Sequence, residues 1–221
     1  MMDEKKVEEL LEKWSWEEGK PLGIPVERSY AHRNGIAHEG VHLWVIDCKD
    51  EMPLVLFQQR ADWKDMYPDC LDITVGGHVP FGIEEDKIQK EAYEEIGIQP
   101  GEEDMVDLGF FRYEEKNGDI FHREFQHVFL YEDRRSLDGY VFHDGEVTGI
   151  FAVPLHRLKM LMNSDLEFTI TGYDGSAVIR RNVTRVDFHP LLFSDIMKEY
   201  MDGLIQAIEE YASGKDITVF F

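Results

Sequence analysis

The sequence is poor in cysteine and in positive charge, and it contains no long hydrophobic run. Its two cysteines, Cys48 and Cys70, lack the CxxC or zinc-type spacing of a metal site. We therefore expect two reduced thiols in an intracellular, cytoplasmic protein. No apolar run reaches the length that spans a bilayer, and none follows the charged first residues. We accordingly expect neither contact with a membrane nor a secretory signal.

Negative charge dominates the chain. Lys and Arg total 23 and Asp and Glu total 45, which gives a formal net charge of −22 over 221 residues. A surface this acidic repels phosphate backbones, so a nucleic-acid polymer is excluded as the general partner. A small phosphorylated substrate remains compatible with the composition if a divalent metal and a few local cations reverse the sign of the charge inside a pocket.

Apolar spacing predicts a mixture of strands and helices. Residues 3–14 have helical spacing and predict a short amphipathic helix or a mobile arm. Further helices are predicted at about 84–96, 154–162 and 190–212, and the strands between them include VHLWVID, PLVLFQQR, LDITVGGHV, MVDLGFFRYEE, FHREFQHVFLYED, GIFAVPL and the hairpin FTITGYDGSAVI. Since strands and helices do not alternate regularly, we predict an α+β fold: an α/β/α sandwich with a mixed sheet flanked by helices.

Three segments follow from these predicted elements. Residues 1–30 form an N-terminal helix or arm and an entry segment, and residues 31–162 form the main domain. Residues 163–221 form a C-terminal hairpin and helix that we expect to pack on the same domain.

An acidic helix follows two glycines in GGHVPFGIEEDKIQKEAYEEIGI, residues 76–98. Glu91, Glu94 and Glu95 lie at i, i+3 and i+4, so they share one helix face at a cost of roughly 0.2–0.5 kcal/mol per like-charged pair. A hard divalent cation makes this arrangement favourable, because Mg²⁺ and Mn²⁺ prefer oxygen ligands. Gly76 and Gly77 allow the backbone to approach closely and to offer a carbonyl to the cation. Taken alone, the spacing also fits an exposed acidic face.

The whole stretch resembles the Nudix box, the loop–helix motif of pyrophosphatases that cleave nucleoside diphosphates linked to another moiety. The matching residues are Gly77, Glu91, Ala92, Glu94, Glu95, Gly97 and Ile98. The resemblance implies a Nudix fold and a pyrophosphohydrolase whose Mg²⁺, or alternatively Mn²⁺, is held by Gly77, Glu91, Glu94 and Glu95. For the general base, four candidates stay open: Glu94, Glu95, Glu124 and Glu146.

Two positions depart from the family pattern. The segment from Gly77 to Glu91 is one residue short, so Ile83 stands where the pattern has its first glutamate and the neighbouring Glu84 is the candidate for that role. Lys90 replaces an arginine; it keeps the charge without the planar fork and can pair with Asp86 or Glu94 one turn away.

Residues 19–131 are also similar to the Nudix branch that contains isopentenyl-diphosphate isomerase. The resemblance implies that Arg60 and Lys64 bind the substrate diphosphate. It also brings out five residues at or near positions that hold a metal in the isomerase: His32, His38, His78, His122 and Glu124. These histidines form a vestigial isomerase-like site, a second metal site or a polar cleft lining. We favour cleft lining for His78 and do not favour a metal cluster for the other three.

The isomerase also requires the thiol of a Cys-Gly-His triplet, and this chain has Gly76-Gly77-His78 in its place. A hydrolase is therefore the first prediction, an isomerase-like enzyme the second, and a non-catalytic nucleotide-binding module the third. Homodimers are common in the family, and the sequence leaves the oligomeric state open.

Overall fold

The computed structural model describes residues 8–49, 52–64, 66–83 and 87–221. Two strands, β1 and β2, form a separate antiparallel hairpin at Leu10–Ser15 and Lys20–Glu27. Nine further strands form one sheet: β3 His38–Asp47, β4 Leu54–Arg60, β5 Leu71–Asp72, β6 Val75–His78, β7 Met105–Asn117, β8 Ile120–Glu132, β9 Val147–Pro154, β10 Phe168–Tyr173 and β11 Val178–Val183. The helices of the described ranges are α1 Arg28–Asn34, α2 Lys87–Ile96, α3 Leu155–Asn163 and α4 Lys198–Ala212.

The large sheet is mixed. Its order is β11-β10-β9-β4-β3-β8-β7, with β5 paired to β4 and β6 paired to β3. Strand β3 runs parallel to β8 and antiparallel to β4 and β6. The parallel pair places His38 opposite Glu124, and the β3–β6 pair places His42 opposite Gly76.

Helices cover both faces of this sheet. Successive residues of a strand point to opposite faces, and in β3 the side chains on both faces are apolar. Val41, Leu43 and Val45 of β3 share one core cluster with residues of α2. Trp44 and Ile46 of the same strand belong to a second cluster with residues of α3 and α4. The predicted fold class, a mixed sheet flanked by helices, is confirmed.

The prediction for the N-terminus is wrong in its described part. Residues 10–15 form strand β1 instead of a helix, while residues 3–7 lie outside the described ranges. Pairing with β2 supplies the backbone hydrogen bonds of this segment, and Leu11 and Trp14 are buried. Such tertiary contacts outweigh the weak preference that helical spacing expresses. Helix α1 follows directly and was not predicted.

The remaining predicted elements are present, with one strand divided and one boundary shifted. The predicted strand LDITVGGHV forms two strands, β5 and β6, which pair with β4 and β3 respectively. Helix α2 ends before Gly97, whose φ of 72° is the left-handed conformation expected of a helix stop. The last helix begins at Lys198, because Pro190–Phe193 forms a separate 3₁₀ turn. Ile196, placed on its apolar stripe by the sequence, is 46% exposed. Among the described residues, no helix has the combined length and hydrophobicity needed to cross a bilayer.

Candidate active site

Glu95 is a buried carboxylate that faces the glycine pair. It accepts hydrogen bonds from the backbone N–H of Gly76 over 3.1 Å and from the side-chain amide of Gln58 over 3.3 Å. Burial raises the pKa of Glu95 well above its ordinary value despite the Gly76 hydrogen bond, and the charge of Glu91 adds to the effect. The folded chain therefore carries a carboxylate whose charge is poorly compensated.

Glu91 lies against the second glycine. A Cβ atom on Gly77 would lie 2.5 Å from Glu91 Oε2, so a larger residue at position 77 would displace this carboxylate. Burial raises the pKa of Glu91 also, and Lys90 only partly opposes it. Two desolvated carboxylates beside the glycine backbone fit a hard divalent cation, which would offset their charge.

Glu94 has a different environment from Glu91 and Glu95. Its side chain is 43% exposed and accepts a hydrogen bond from Lys90 over 3.0 Å. This contact is one of the two pairings predicted for Lys90; Asp86, the other partner, and Glu84 lie outside the described residues. Glu91, Glu94 and Glu95 do not bring one oxygen each to within 4.8 Å of one another.

Two loops from other parts of the sheet, which contain Lys64 and Glu146, lie near Glu95. Lys64 forms an ion pair with Glu146, and the two side chains are 22% and 43% exposed. The Ala61 N–H donates to the Glu146 carbonyl over 2.9 Å, which ties the two loops together. The charge of Lys64 acts on Glu95 and partly opposes the rise in its pKa. The structure thus brings the predicted residues Lys64 and Glu146 to the acidic helix.

Arg60 is engaged by its own loop. Its Nε and Nη2 donate to the carbonyls of Tyr67 and Met66, each over 3.0 Å, and its Nη1 donates to Asp72 over 3.2 Å. Tyr67 and Asp69 have positive φ values of 51° and 59°, an uncommon conformation for non-glycine residues. The guanidinium therefore holds a strained loop, and its predicted contact with a diphosphate stays a prediction.

A second polar group lies at one end of β3. His32, His38, His78 and Glu124 each place one ligand atom so that all four atoms lie within 4.8 Å of one another. The Nε2 atom of His32 is 3.3 Å from that of His38 and 3.2 Å from that of His78. Glu124 Oε1 lies 3.6 Å from His38 Nε2 and 3.5 Å from His78 Nε2.

The charge state of this histidine group suits a metal. Burial lowers the pKa of His32 to about 3 and also lowers the pKa of His78, so both imidazoles are neutral. Burial alone would raise the pKa of Glu124, but hydrogen bonds from His122, His38 and His78 outweigh it and keep the carboxylate ionised. Imidazole-rich donor sets suit zinc and other transition metals more than Mg²⁺.

The sequence did not favour this compact group, because its members come from four separate elements, α1, β3, β6 and β8. His122 is placed beside it and donates through Nδ1 to Glu124 over 2.9 Å. His78 follows Gly77 directly, so β6 connects the histidine group with the carboxylates of α2.

Two further residues bear on the chemistry. Cys70 is a free thiol that donates to the Tyr67 carbonyl over 3.2 Å, and burial raises its pKa to about 12. It therefore supplies no thiolate in place of the absent cysteine at position 76. His42, which sequence reasoning missed, lies opposite Gly76 and contacts Tyr200 of α4. A histidine within the apolar run VHLWVID was the available indication of a special role.

Comparison with known proteins gives similarities in sequence and in fold. No family model matches the chain. An uncharacterized Nudix hydrolase of Clostridium acetobutylicum is 26% identical over 140 residues, which cover 63% of this chain and 68% of that protein. Nudix hydrolase 3 of Arabidopsis thaliana is 26% identical over 152 residues, 66% of this chain but only 19% of that protein.

A crystal structure from Deinococcus radiodurans has a similar fold. Its TM-score is 0.51 at 17% sequence identity, and the match covers 69% of this chain and 90% of that one. At this identity the match supports a shared fold, and neither curated relative is named as an isomerase.

Proposed function

We propose that this chain hydrolyses a pyrophosphate linkage in a nucleoside diphosphate or nucleoside diphosphate derivative, with Mg²⁺ or Mn²⁺ as cofactor. The proposal starts from its similarity to Nudix hydrolases, which its sequence predicts. The observation that carries the proposal is the pair of desolvated carboxylates, Glu91 and Glu95, held against the Gly76–Gly77 backbone. Charges buried in this way are costly unless they are paired or coordinate a metal.

Glu91, Glu95 and the Gly77 carbonyl would hold the cation, and Glu94 would complete the set by a change of rotamer away from Lys90. A bound divalent cation lowers the pKa of water and neutralises charge on phosphoryl oxygens. Lys64 offers a further positive charge beside Glu95, where it would stabilise charge developing on the leaving phosphate. A phosphoryl oxygen would then replace Glu146 as its partner.

The general base must accept a proton from water near the phosphorus atom. Glu124 already accepts hydrogen bonds within the histidine group, and Glu95 accepts two from Gly76 and Gln58. Glu94 and Glu146 have the more exposed carboxylates at 43% each, and each is held by one lysine. We assign the base to one of these two, and the pair of single glutamine variants distinguishes them through kcat.

The histidine group favours a second candidate, an isomerase-like enzyme with a transition metal at His32, His38, His78 and Glu124. Its weakness is the missing proton-transfer thiol, since position 76 is glycine and the Cys70 thiol is protonated. A non-catalytic nucleotide-binding module is the third candidate, and the short segment between Gly77 and Glu91 is the feature that favours it.

One screen tests these candidates. The purified chain is incubated with nucleoside diphosphates, sugar nucleotides, dinucleotides and coenzymes, with Mg²⁺ or Mn²⁺, and released phosphate and nucleoside monophosphate are measured. We expect metal-dependent release that is lost in the Glu94→Gln/Glu95→Gln double variant.

Other outcomes point elsewhere. Absence of turnover on every compound, with nucleotide-dependent thermal stabilisation, would identify a binding module. Exchange of an allylic proton of isopentenyl diphosphate with deuterated solvent, without phosphate release, would identify an isomerase.

A further inference from the structure

Three polar side chains, two of them buried, link the C-terminal helix α4 to the backbone of β6. The Trp44 Nε1–H donates to the Tyr200 hydroxyl oxygen over 2.7 Å. The same hydroxyl lies 3.0 Å from Nδ1 of His42. Trp44 and Tyr200 are both fully buried, and among the described residues Tyr200 has no other side-chain partner for its hydroxyl.

The hydrogen-bond direction between Tyr200 and His42 follows from counting donors. An indole nitrogen can only donate, so the Tyr200 oxygen accepts from Trp44 and retains one O–H donor of its own. If His42 Nδ1 carried a proton, the Tyr200 O–H would be buried without an acceptor, at a cost of about 1–3 kcal/mol. The Tyr200 hydroxyl therefore donates to Nδ1 of His42, and the proton of the neutral imidazole resides on Nε2.

The Nε2 edge of His42 is directed away from Tyr200, next to Gly76. A Cβ atom on Gly76 would come within 3.4 Å of His42 Cδ2 and 4.0 Å of its Nε2, so glycine leaves this edge uncovered. His42 is half-buried, and no hydrogen-bond partner of its Nε2 is found in the described part of the chain. The ionised groups that act on it include Glu124 and Asp72.

Starting from the proposed hydrolase, we propose that His42 contacts the substrate: its Nε2–H donates to an acceptor atom on the nucleoside part, and Tyr200 is the positioning residue that fixes this tautomer. The acidic groups around His42 favour the nucleoside part over the phosphates as the acceptor. Glu124 and Asp72 make the surroundings of His42 acidic, whereas Lys64 lies beside Glu95 and the α2 side of the sheet. A neutral N–H donor in acidic surroundings suits an uncharged acceptor such as a base carbonyl, a ring nitrogen or a ribose hydroxyl.

The tautomer is measured first, in the intact chain without ligand, by long-range ¹H–¹⁵N correlation of labelled histidine side chains. We expect His42 to be neutral with its proton on Nε2; the resonance is assigned by its loss in His42→Gln. In Tyr200→Phe we expect a mixture of the two tautomers. Tyr211→Phe is the matched control, because the Tyr211 hydroxyl lies on the same helix but donates to Glu132 over 3.3 Å. A proton on Nδ1 in the unaltered chain would overturn the proposal, even if Tyr200→Phe fails to fold.

Ligand probes then identify the part of the substrate that His42 contacts. ADP, GDP, CDP, UDP and inorganic pyrophosphate are added separately with Ca²⁺, and the His42 Nε2 resonance is followed. We expect a shift with at least one nucleotide and none with pyrophosphate. A shift produced by pyrophosphate, or no shift with any probe, would contradict the proposal.

Kinetics separate this proposal from the proposed function. With the best substrate of the screen, His42→Leu should raise KM at least tenfold with little change in kcat. His42→Gln should raise KM less, because its amide can place an N–H near the Nε2 position. Tyr200→Phe should raise KM about threefold and Tyr211→Phe should not. If no compound is hydrolysed but nucleotides still shift the His42 resonance, the hydrolase fails and the contact stands. Unchanged KM in folded His42→Leu would refute the contact while leaving the hydrolase intact.

Discussion

The backbone N–H of Gly76 donates to the carboxylate of Glu95 over 3.1 Å, and this contact joins the start of the glycine pair to the end of helix α2. It orients Glu95 before any cation is bound. Hydrogen bonds from one backbone N–H and one amide only partly offset the burial of the charge, so the pKa of Glu95 stays high. The site is thus ordered in advance, and the charge of Lys64 only partly opposes the rise in the pKa of Glu95.

The first prediction concerns Glu95→Gln. This change should lower metal-dependent hydrolysis by roughly 100-fold or more, because a metal contributes several kcal/mol of charge stabilisation to the transition state. It should leave the free energy of unfolding of the metal-free protein equal or higher, since a buried carboxylate is replaced by an amide. Phosphate release and urea unfolding with and without Mg²⁺ provide the measurements. Glu94→Gln, at a more exposed position, is compared by unfolding alone and should lose less metal-dependent stabilisation. Equal effects of both changes would mean that Glu94 is as much a ligand as Glu95.

The second prediction concerns the histidine group. The chain should bind one equivalent of Co²⁺ with visible absorption, and His38→Ala should weaken this binding by at least about tenfold. His156→Ala is the matched change, because His156 is exposed on α3. Titration by absorption spectroscopy measures both affinities. Identical curves for all three proteins would show that the group holds no metal.

The third prediction distinguishes the two roles of Arg60. If its guanidinium holds the loop, Arg60→Lys should lower the free energy of unfolding by roughly 1–3 kcal/mol, because lysine cannot donate in several fixed directions. The control is Arg134→Lys, which affects an exposed surface pair with Glu132 and should change the free energy of unfolding much less. Urea unfolding gives both values. Unchanged stability together with a raised KM would instead support direct contact between Arg60 and a diphosphate.

The fourth prediction is the pH dependence contributed by His42. Burial lowers its pKa to about 4 in the folded chain, against 6.5 as the ordinary value. Between these values the unfolded state binds more protons, so the contribution of His42 to stability falls as the pH falls from 6.5 to 4 and is constant above that range. The loss is roughly 3 kcal/mol.

The measurement is urea unfolding at several pH values. In His42→Gln the decline in stability over this range should be smaller by about the stated amount, while His156→Gln, at an exposed position, should retain the decline of the unaltered chain. Parallel curves for the His42 variant and the unaltered chain would show that His42 is not buried as a neutral group.

Local pattern was enough to predict the elements that bear the carboxylates. The spacing of Glu91, Glu94 and Glu95, the glycines at 76 and 77 and the stop at Gly97 all act within one loop and one helix, and α2 has these features. The relationship to Nudix hydrolases was readable for the same reason, since its residues are contiguous. At the N-terminus local pattern failed, because pairing of β1 with β2 outweighed helical spacing.

The sequence by itself therefore determined the secondary structure of the acidic helix, the mixed class of the sheet and the similarity to Nudix hydrolases. Only the tertiary structure decided that Glu95 is buried while Glu94 is exposed, and that Arg60 binds its own loop. It also decided that His42 contacts Tyr200, 158 positions away in the sequence. It also assembled His32, His38, His78 and Glu124 from four elements. The physical reason is that helix and turn preferences arise between neighbours in the chain, whereas the meeting of distant side chains depends on strand register and on the face of the sheet to which each residue points.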